Sequence, residues 1–152
     1  MANSVNTMIA VRKRHNSGFT LIEVVIVVVM LGVLMSIALP AYQDSMRKGR
    51  RADAKAGLMD AANRQERLML DRRTYTDDME DLGFEDDPML TEEQYYSIDA
   101  EACADGTIAT CYVLTATPVA GGVQEEDTKC TSLILDSTGA KTATGTLQAE
   151  CW

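Results

Sequence analysis

An α+β fold is what this sequence predicts: one long N-terminal helix packed on a small antiparallel sheet, with a C-terminal region closed by disulfides. Three observations carry the prediction. A long apolar run lies near the start of the chain, a helical charged segment follows it directly, and the last third alternates in the manner of short strands.

The apolar run comes first. Residues 19–39 read FTLIEVVIVVVMLGVLMSIAL, apolar except for Thr20, Glu23, Gly32 and Ser36. At about 1.5 Å per residue, a helix of that length crosses the roughly 30 Å of bilayer hydrocarbon. Arg12, Lys13 and Arg14 precede it, so the positive-inside rule keeps the N-terminus cytoplasmic and puts the rest of the chain outside. A secretory signal ending at Ser36-Ile37-Ala38 is the competing reading, but its apolar region is too long and holds an acid near its start. In a plain single-span anchor, Glu23 costs about 2.5–3.5 kcal/mol if it lies deep in lipid. An intramembrane carboxylate calls for a cation. Cutting the chain between Gly18 and Phe19 creates one, a new ammonium four residues before Glu23 and so one helical turn away.

These residues carry a resemblance. Ser17-Gly18-Phe19-Thr20-Leu21-Ile22-Glu23 resembles the prepilin processing motif of type IV pilins and type II secretion pseudopilins. The resemblance implies cleavage by the prepilin peptidase after Gly18, N-methylation of Phe19, and an assembly role for Glu23 through the N-terminal amine of an adjacent subunit. It divides the chain into a leader (1–18), a transmembrane and assembly helix (19–40) and a periplasmic or extracellular domain (41–152) that includes the second half of the helix.

Pro40 removes an amide donor and ends or kinks the first helical stretch. Residues 41–71 resume helical character, with Tyr42, Met46, Gly49, Ala52, Ala56, Met59, Asn63 and Leu70 forming a narrow small-residue stripe. The other faces alternate in charge. In the family such helices pack together in the filament interior, where complementary charges help to fix the stagger.

Residues 74–94 hold nine acids and no base, with Gly83 and Pro88, and read as a loop-rich connection. Asp86, Asp87, Glu92 and Glu93 lack the Asp-x-Asp-x-Asp-Gly grammar of a calcium loop, so no metal is expected. Strands are predicted at 95–100, 111–117 and 129–136, with a weak fourth at 141–144 after the Gly139 turn, and a longer loop at Gly121-Gly122.

Cys103, Cys111, Cys130 and Cys151 all follow the apolar run and lack CxxC spacing, so two disulfides in an oxidising compartment are expected, with three connectivities open. Tyr95-Tyr96, Cys111 through Pro118, Cys130 with Leu133, Leu135, Gly139 and Lys141, and the terminal Cys151-Trp152 resemble PilE-type minor pilins and their DNA-uptake relatives. That resemblance implies the type IV pilin fold and the pairs Cys103–Cys111 and Cys130–Cys151.

Charge narrows the function. Beyond residue 18 the chain carries 11 basic against 23 acidic residues, and from Thr74 onward only Lys129 and Lys141 oppose seventeen acids. Such a surface disfavours nucleic acid and anionic headgroups, although Arg72 and Arg73 leave a DNA-uptake receptor as an alternative. A secretion pseudopilin is the other alternative. The one histidine, His15, lies in the leader, and no Ser-His-Asp set or phosphate loop is present, so neither catalysis nor a cofactor is expected. The expected partners are other pilin subunits, the prepilin peptidase/methyltransferase and the inner-membrane assembly platform. The expected location is the inner membrane, C-terminus periplasmic, and then an extracellular pilus.

Overall fold

A computed structural model describes residues 18–152. Arg12, Lys13, Arg14, His15 and Ser17 lie outside the described residues, as does the leader before Gly18. The chain divides into two compact units, 1–40 and 41–152.

Helix α1 runs over Leu21–Arg72, 52 residues assigned without a break at Pro40. Of the two outcomes expected at that proline, an end or a kink, the helix does not end there, and the one long helix expected from the sequence is what forms. The missing donor costs one ladder bond, while the residues on either side are strong or lipid-compatible helix formers. The Ser36 hydroxyl, one turn earlier, donates to the Val33 carbonyl at 2.7 Å. In the first unit the apolar side chains from Phe19 to Leu39 are exposed.

In the second unit the sheet has five antiparallel strands in sequential order: β1 (Met89–Leu90), β2 (Tyr96–Ala102), β3 (Tyr112–Pro118), β4 (Ser132–Asp136) and β5 (Lys141–Thr144). The alternation is visible in the register: Ile98, Ala100, Leu114, Ala116, Leu133 and Leu135 point into the core, and Ile98 lies opposite Ala116, Ala100 opposite Leu114. The two edges are β1 and β5.

The helix meets this core through Arg51, Ala54, Leu58, Ala61 and Gln65, at steps of three and four. The small-residue stripe of Tyr42, Met46, Gly49, Ala52, Ala56, Met59, Asn63 and Leu70 lies on the opposite side and is exposed, Leu70 to 83%. Two polar residues in the buried row explain why counting apolar letters does not find it. Close approach of the sheet is set by Gly57, where a Cβ would come within 2.7 Å of Ile98 Cδ1 and 3.1 Å of Thr91 Cγ2.

Cys103 is joined to Cys111 and Cys130 to Cys151, with Cα–Cα separations of 5.8 Å in both. The first closes the β2–β3 connection. The second holds a short 3₁₀ turn, Gln148–Cys151, against the chain just before β4, where Leu147 N–H donates to the Lys129 carbonyl at 3.0 Å.

Candidate functional site

The apolar start of α1 is the first place where chemistry gathers. Thr20 precedes the helix, and its hydroxyl oxygen accepts a hydrogen bond from the Glu23 N–H at 3.3 Å, while its carbonyl accepts from the Glu23 and Val24 amides. Thr20-Leu-Ile-Glu23 thus has capping-box spacing, with the hydroxyl meeting one of the orphan donors of the first turn. Glu23 is the one acid in that turn, at the end where the helix dipole favours negative charge. Sequence reasoning gave Thr20 no role, although the Thr-x-x-Glu signature was there to be read. Gly18, Phe19 and Glu23 are all exposed, so the residues expected to be cut, modified and paired lie on an open segment.

Within the second unit, the loop between β3 and β4 is fastened to α1 by ions. Arg51 donates to Asp127 twice, Nε to Oδ2 at 2.7 Å and Nη2 to Oδ1 at 2.9 Å, and both side chains are buried. Gln124 Nε2 adds a third donor to Asp127 Oδ2 at 2.9 Å. At the surface, Arg47 pairs with Glu126 at 3.2 Å, and Lys129 with Asp44. Lys129 is the main reason the Asp44 carboxyl is held below the usual carboxylate range. Higher on the helix, Gln65 Nε2 donates to the Thr76 carbonyl at 2.6 Å and Gln65 Oε1 accepts from the Thr76 N–H at 3.1 Å, tying down the chain leaving α1.

The four cysteines are all paired, and the described residues form no cluster of three or more metal-ligating side chains. Lys129 is consumed by Asp44, while Lys141 stands over the Trp152 ring at 5.1 Å. At the far end of α1, Arg72 lies 3.6 Å from Asp81, and Arg67 and Arg73 are exposed with no ion-pair partner among the described residues.

Comparison with known proteins identifies the architecture. Residues 40–134, more than half the chain, match the family described as "Type IV minor pilin ComP, DNA uptake sequence receptor". Residues 13–39 match the prokaryotic N-terminal methylation motif. Over 70 residues the chain is 33% identical to the type IV major pilin protein PilA of Myxococcus xanthus, covering 46% of this chain and 32% of that one. It is 31% identical to a fimbrial protein of Pseudomonas aeruginosa over 101 residues, 62% of this chain and 66% of the other. The type II secretion system core protein G of Aeromonas hydrophila is 34% identical over 64 residues, 42% of this chain and 45% of that protein. The chain thus spans about a third of the Myxococcus relative and under half of the Aeromonas one. Among solved structures, a type IV pilin from Shewanella oneidensis is similar at 26% identity and a TM-score of 0.44, over 62% of this chain and 89% of that one. An exposed apolar helix start bearing Glu23, a five-stranded antiparallel meander and a match over more than half the length lead to one conclusion: this chain belongs to the type IV minor pilin family described as ComP.

Proposed function

We propose that the chain is a minor subunit of a type IV pilus, a structural protein that residues 19–40 hold in the inner membrane before assembly and that residues 41–152 present outside it. The observation that carries this reading is the exposed apolar stretch from Phe19 to Leu39 with a single carboxylate, Glu23, four residues after the Gly18–Phe19 bond. In lipid that carboxylate needs a cation, and cleavage after Gly18 supplies one at Phe19, on the same subunit or a neighbour. The prepilin peptidase makes the cut and the amine of Phe19 is methylated. The Phe19 nitrogen stays cationic after methylation, so the attraction to Glu23 survives the modification. The incoming subunit is then passed through an assembly platform into the filament. Thr20, by capping the Glu23 amide, keeps the carboxylate at the start of the helix.

The test separates processing from assembly. Gly18→Val leaves a longer precursor by mass spectrometry. Glu23→Val inserts and is cleaved, yet its ratio in sheared pili to membranes falls well below wild type. Equal incorporation of Glu23→Val and wild type returns Glu23 to an unexplained acid and removes the assembly role.

A second reading, DNA-uptake receptor, is favoured by the matched family's own description and by Arg67 and Arg73, exposed at the far end of α1. Against it stand seventeen acids and two bases beyond residue 73. Binding of duplex DNA by the full chain, with an affinity that falls steeply with salt and is lost in Arg67→Glu/Arg73→Glu, establishes it. No retention of DNA at low salt removes it.

A further inference from the structure

The end of the domain where the chain leaves the apolar span is built differently from the rest. Tyr42, Met46 and Val123 are exposed there, to 65, 41 and 56%, around a hollow of about 370 Å³ rimmed by Arg47, Arg50 and Glu126. Two stretches distant in sequence make it. Tyr42, Met46, Arg47 and Arg50 come from the turns of α1 just beyond Pro40, and Val123 and Glu126 come from the loop between β3 and β4. The buried pair Arg51–Asp127 sets that loop against the helix, and Arg47–Glu126 repeats the link at the rim.

Charge is unevenly placed. At this end Arg47, Arg51 and Lys129 pair with Glu126, Asp127 and Asp44. Lys48, Arg50, Glu125 and Glu150, the last on the turn tied to Lys129, are in no ion pair among the described residues. Five bases thus meet five acids here, while the rest of residues 41–152 carry six bases and seventeen acids. A domain that repels anionic surfaces as a whole is neutral where the chain leaves the span. Arg50 is not satisfied within the fold: its guanidinium stands 5.2 Å from the centre of the Tyr95 ring, and its Nε is buried with no hydrogen-bond partner among the described residues. Such a nitrogen calls for an acceptor.

We infer that this end is a seat on the bilayer: the tip of the β3–β4 loop and the first turns of α1 beyond Pro40 enter the interfacial layer together, Tyr42, Met46 and Val123 among the upper acyl chains and Arg50 on a phospholipid phosphodiester. The inference rests on the reading of residues 19–40 as a membrane span, and adds a second membrane contact some eighty residues further along the chain. Continuity with the span identifies the occupant. The headgroup layer is about 5–8 Å deep on each side, and Tyr42 and Met46 follow Ala41 by roughly 1.5 and 8 Å of helix. Arg50 is about 14 Å along, but helical side chains lean towards the N-terminus, here the membrane end, and an arginine reaches back along its alkyl stem. Because the charges at this end balance, a zwitterionic surface suffices. Leaving the membrane for a filament then means lifting this seat as well as the span.

The test uses the mature chain, residues 19–152, carrying Val123→Trp, in vesicles of phosphatidylcholine brominated near the glycerol end of its acyl chains. Quenching beyond that of the parent chain, whose emission is that of Trp152, is expected. In the same background Arg50→Gln lowers the ratio of seated to free domain about tenfold, as loss of one hydrogen bond to a charged group does. Arg50→Lys retains most of it, and Arg67→Gln/Arg73→Gln, the same loss of charge at the far end of α1, leaves it unchanged. Met46→Glu, at an exposed position where misfolding is no explanation, lowers it as well. No added quenching in a chain that resists alkaline carbonate extraction overturns the inference and leaves the membrane reading standing. A chain that carbonate extracts overturns both. Quenching that needs phosphatidylglycerol, or that Arg50→Gln and Met46→Glu leave intact, overturns the seat. If the added tryptophan is shielded only at high protein-to-lipid ratio, another copy covers this face and the inference is wrong.

Discussion

Truncating Asp127 to alanine is expected to be the most damaging single change in the second unit, and the geometry gives the size. The side chain is fully buried and accepts from Arg51 Nε, Arg51 Nη2 and Gln124 Nε2 within 2.9 Å. Asp127→Ala leaves a guanidinium buried without its counter-ion and orphans three donors, for which the expected loss is about 3–5 kcal/mol. A domain whose whole stability is of order 5–15 kcal/mol loses a large share of it. Glu126→Ala, one residue away, is the control. Its pair with Arg47 is at a similar distance, but Glu126 is 80% exposed, and such pairs are worth about 0.2–1 kcal/mol. Replacing both members, Arg51→Met with Asp127→Leu, should recover most of the loss, because the cost lies in an unpaired buried charge and not in a missing attraction. Urea-gradient proteolysis of the full mature chain in detergent measures all three. If Asp127→Ala is no worse than Glu126→Ala, the loop between β3 and β4 is not fastened by this ion pair.

Three further outcomes are expected. Changing Cys130 and Cys151 together to Ser should lower stability by about 2–5 kcal/mol, read by the same proteolysis, with membrane insertion unchanged because the apolar span precedes every cysteine. In Gly57→Ala, a gain in helix propensity of about 1 kcal/mol meets a Cβ 2.7 Å from the buried Ile98, so overpacking of about 1–3 kcal/mol should win and the variant should unfold at lower urea than wild type. Asp136 is held below the usual carboxylate value of 3.8, first by its bond from Thr138. The order it gives the β4–β5 turn should therefore be complete above that value and disappear as pH falls through its depressed one, seen as faster amide exchange at Thr138 and Ala140.

Much of the fold is legible because its long-range rules are written in single residues. The long apolar run of residues 19–39 reads as a membrane-crossing helix, and β-branched or aromatic alternation placed β2 and β3 within two residues of their observed limits, with β4 starting three residues later than expected and the weak segment after the Gly139 turn matching β5. What escaped has physical causes. Pro40 reads as an end or a kink, which the sequence leaves open, and strong formers on both sides carry the one long helix past the missing bond. The buried row of α1 contains Arg51 and Gln65, whose burial depends on partners at Asp127 and Thr76 distant in sequence, so no periodicity of apolar letters shows it. The two-residue β1 sits in an acidic stretch with no strand composition and exists because β2 offers it an edge. At the candidate site Gly18, Phe19 and Glu23 were readable from a motif, while Thr20 required recognising a cap.

The sequential strand order has a consequence for how the chain matures. Every strand pairs with its neighbour in sequence, so the pairings within the sheet are local and each hairpin can close as soon as its second strand is available. The cysteines follow the same rule: the first joins the second and the third joins the fourth, across separations of 8 and 21 residues. A chain crossing a membrane from its anchored N-terminus presents them in that order. An oxidant that couples thiols as they emerge therefore arrives at the right connectivity by arrival time alone, with no need to reshuffle bonds afterwards.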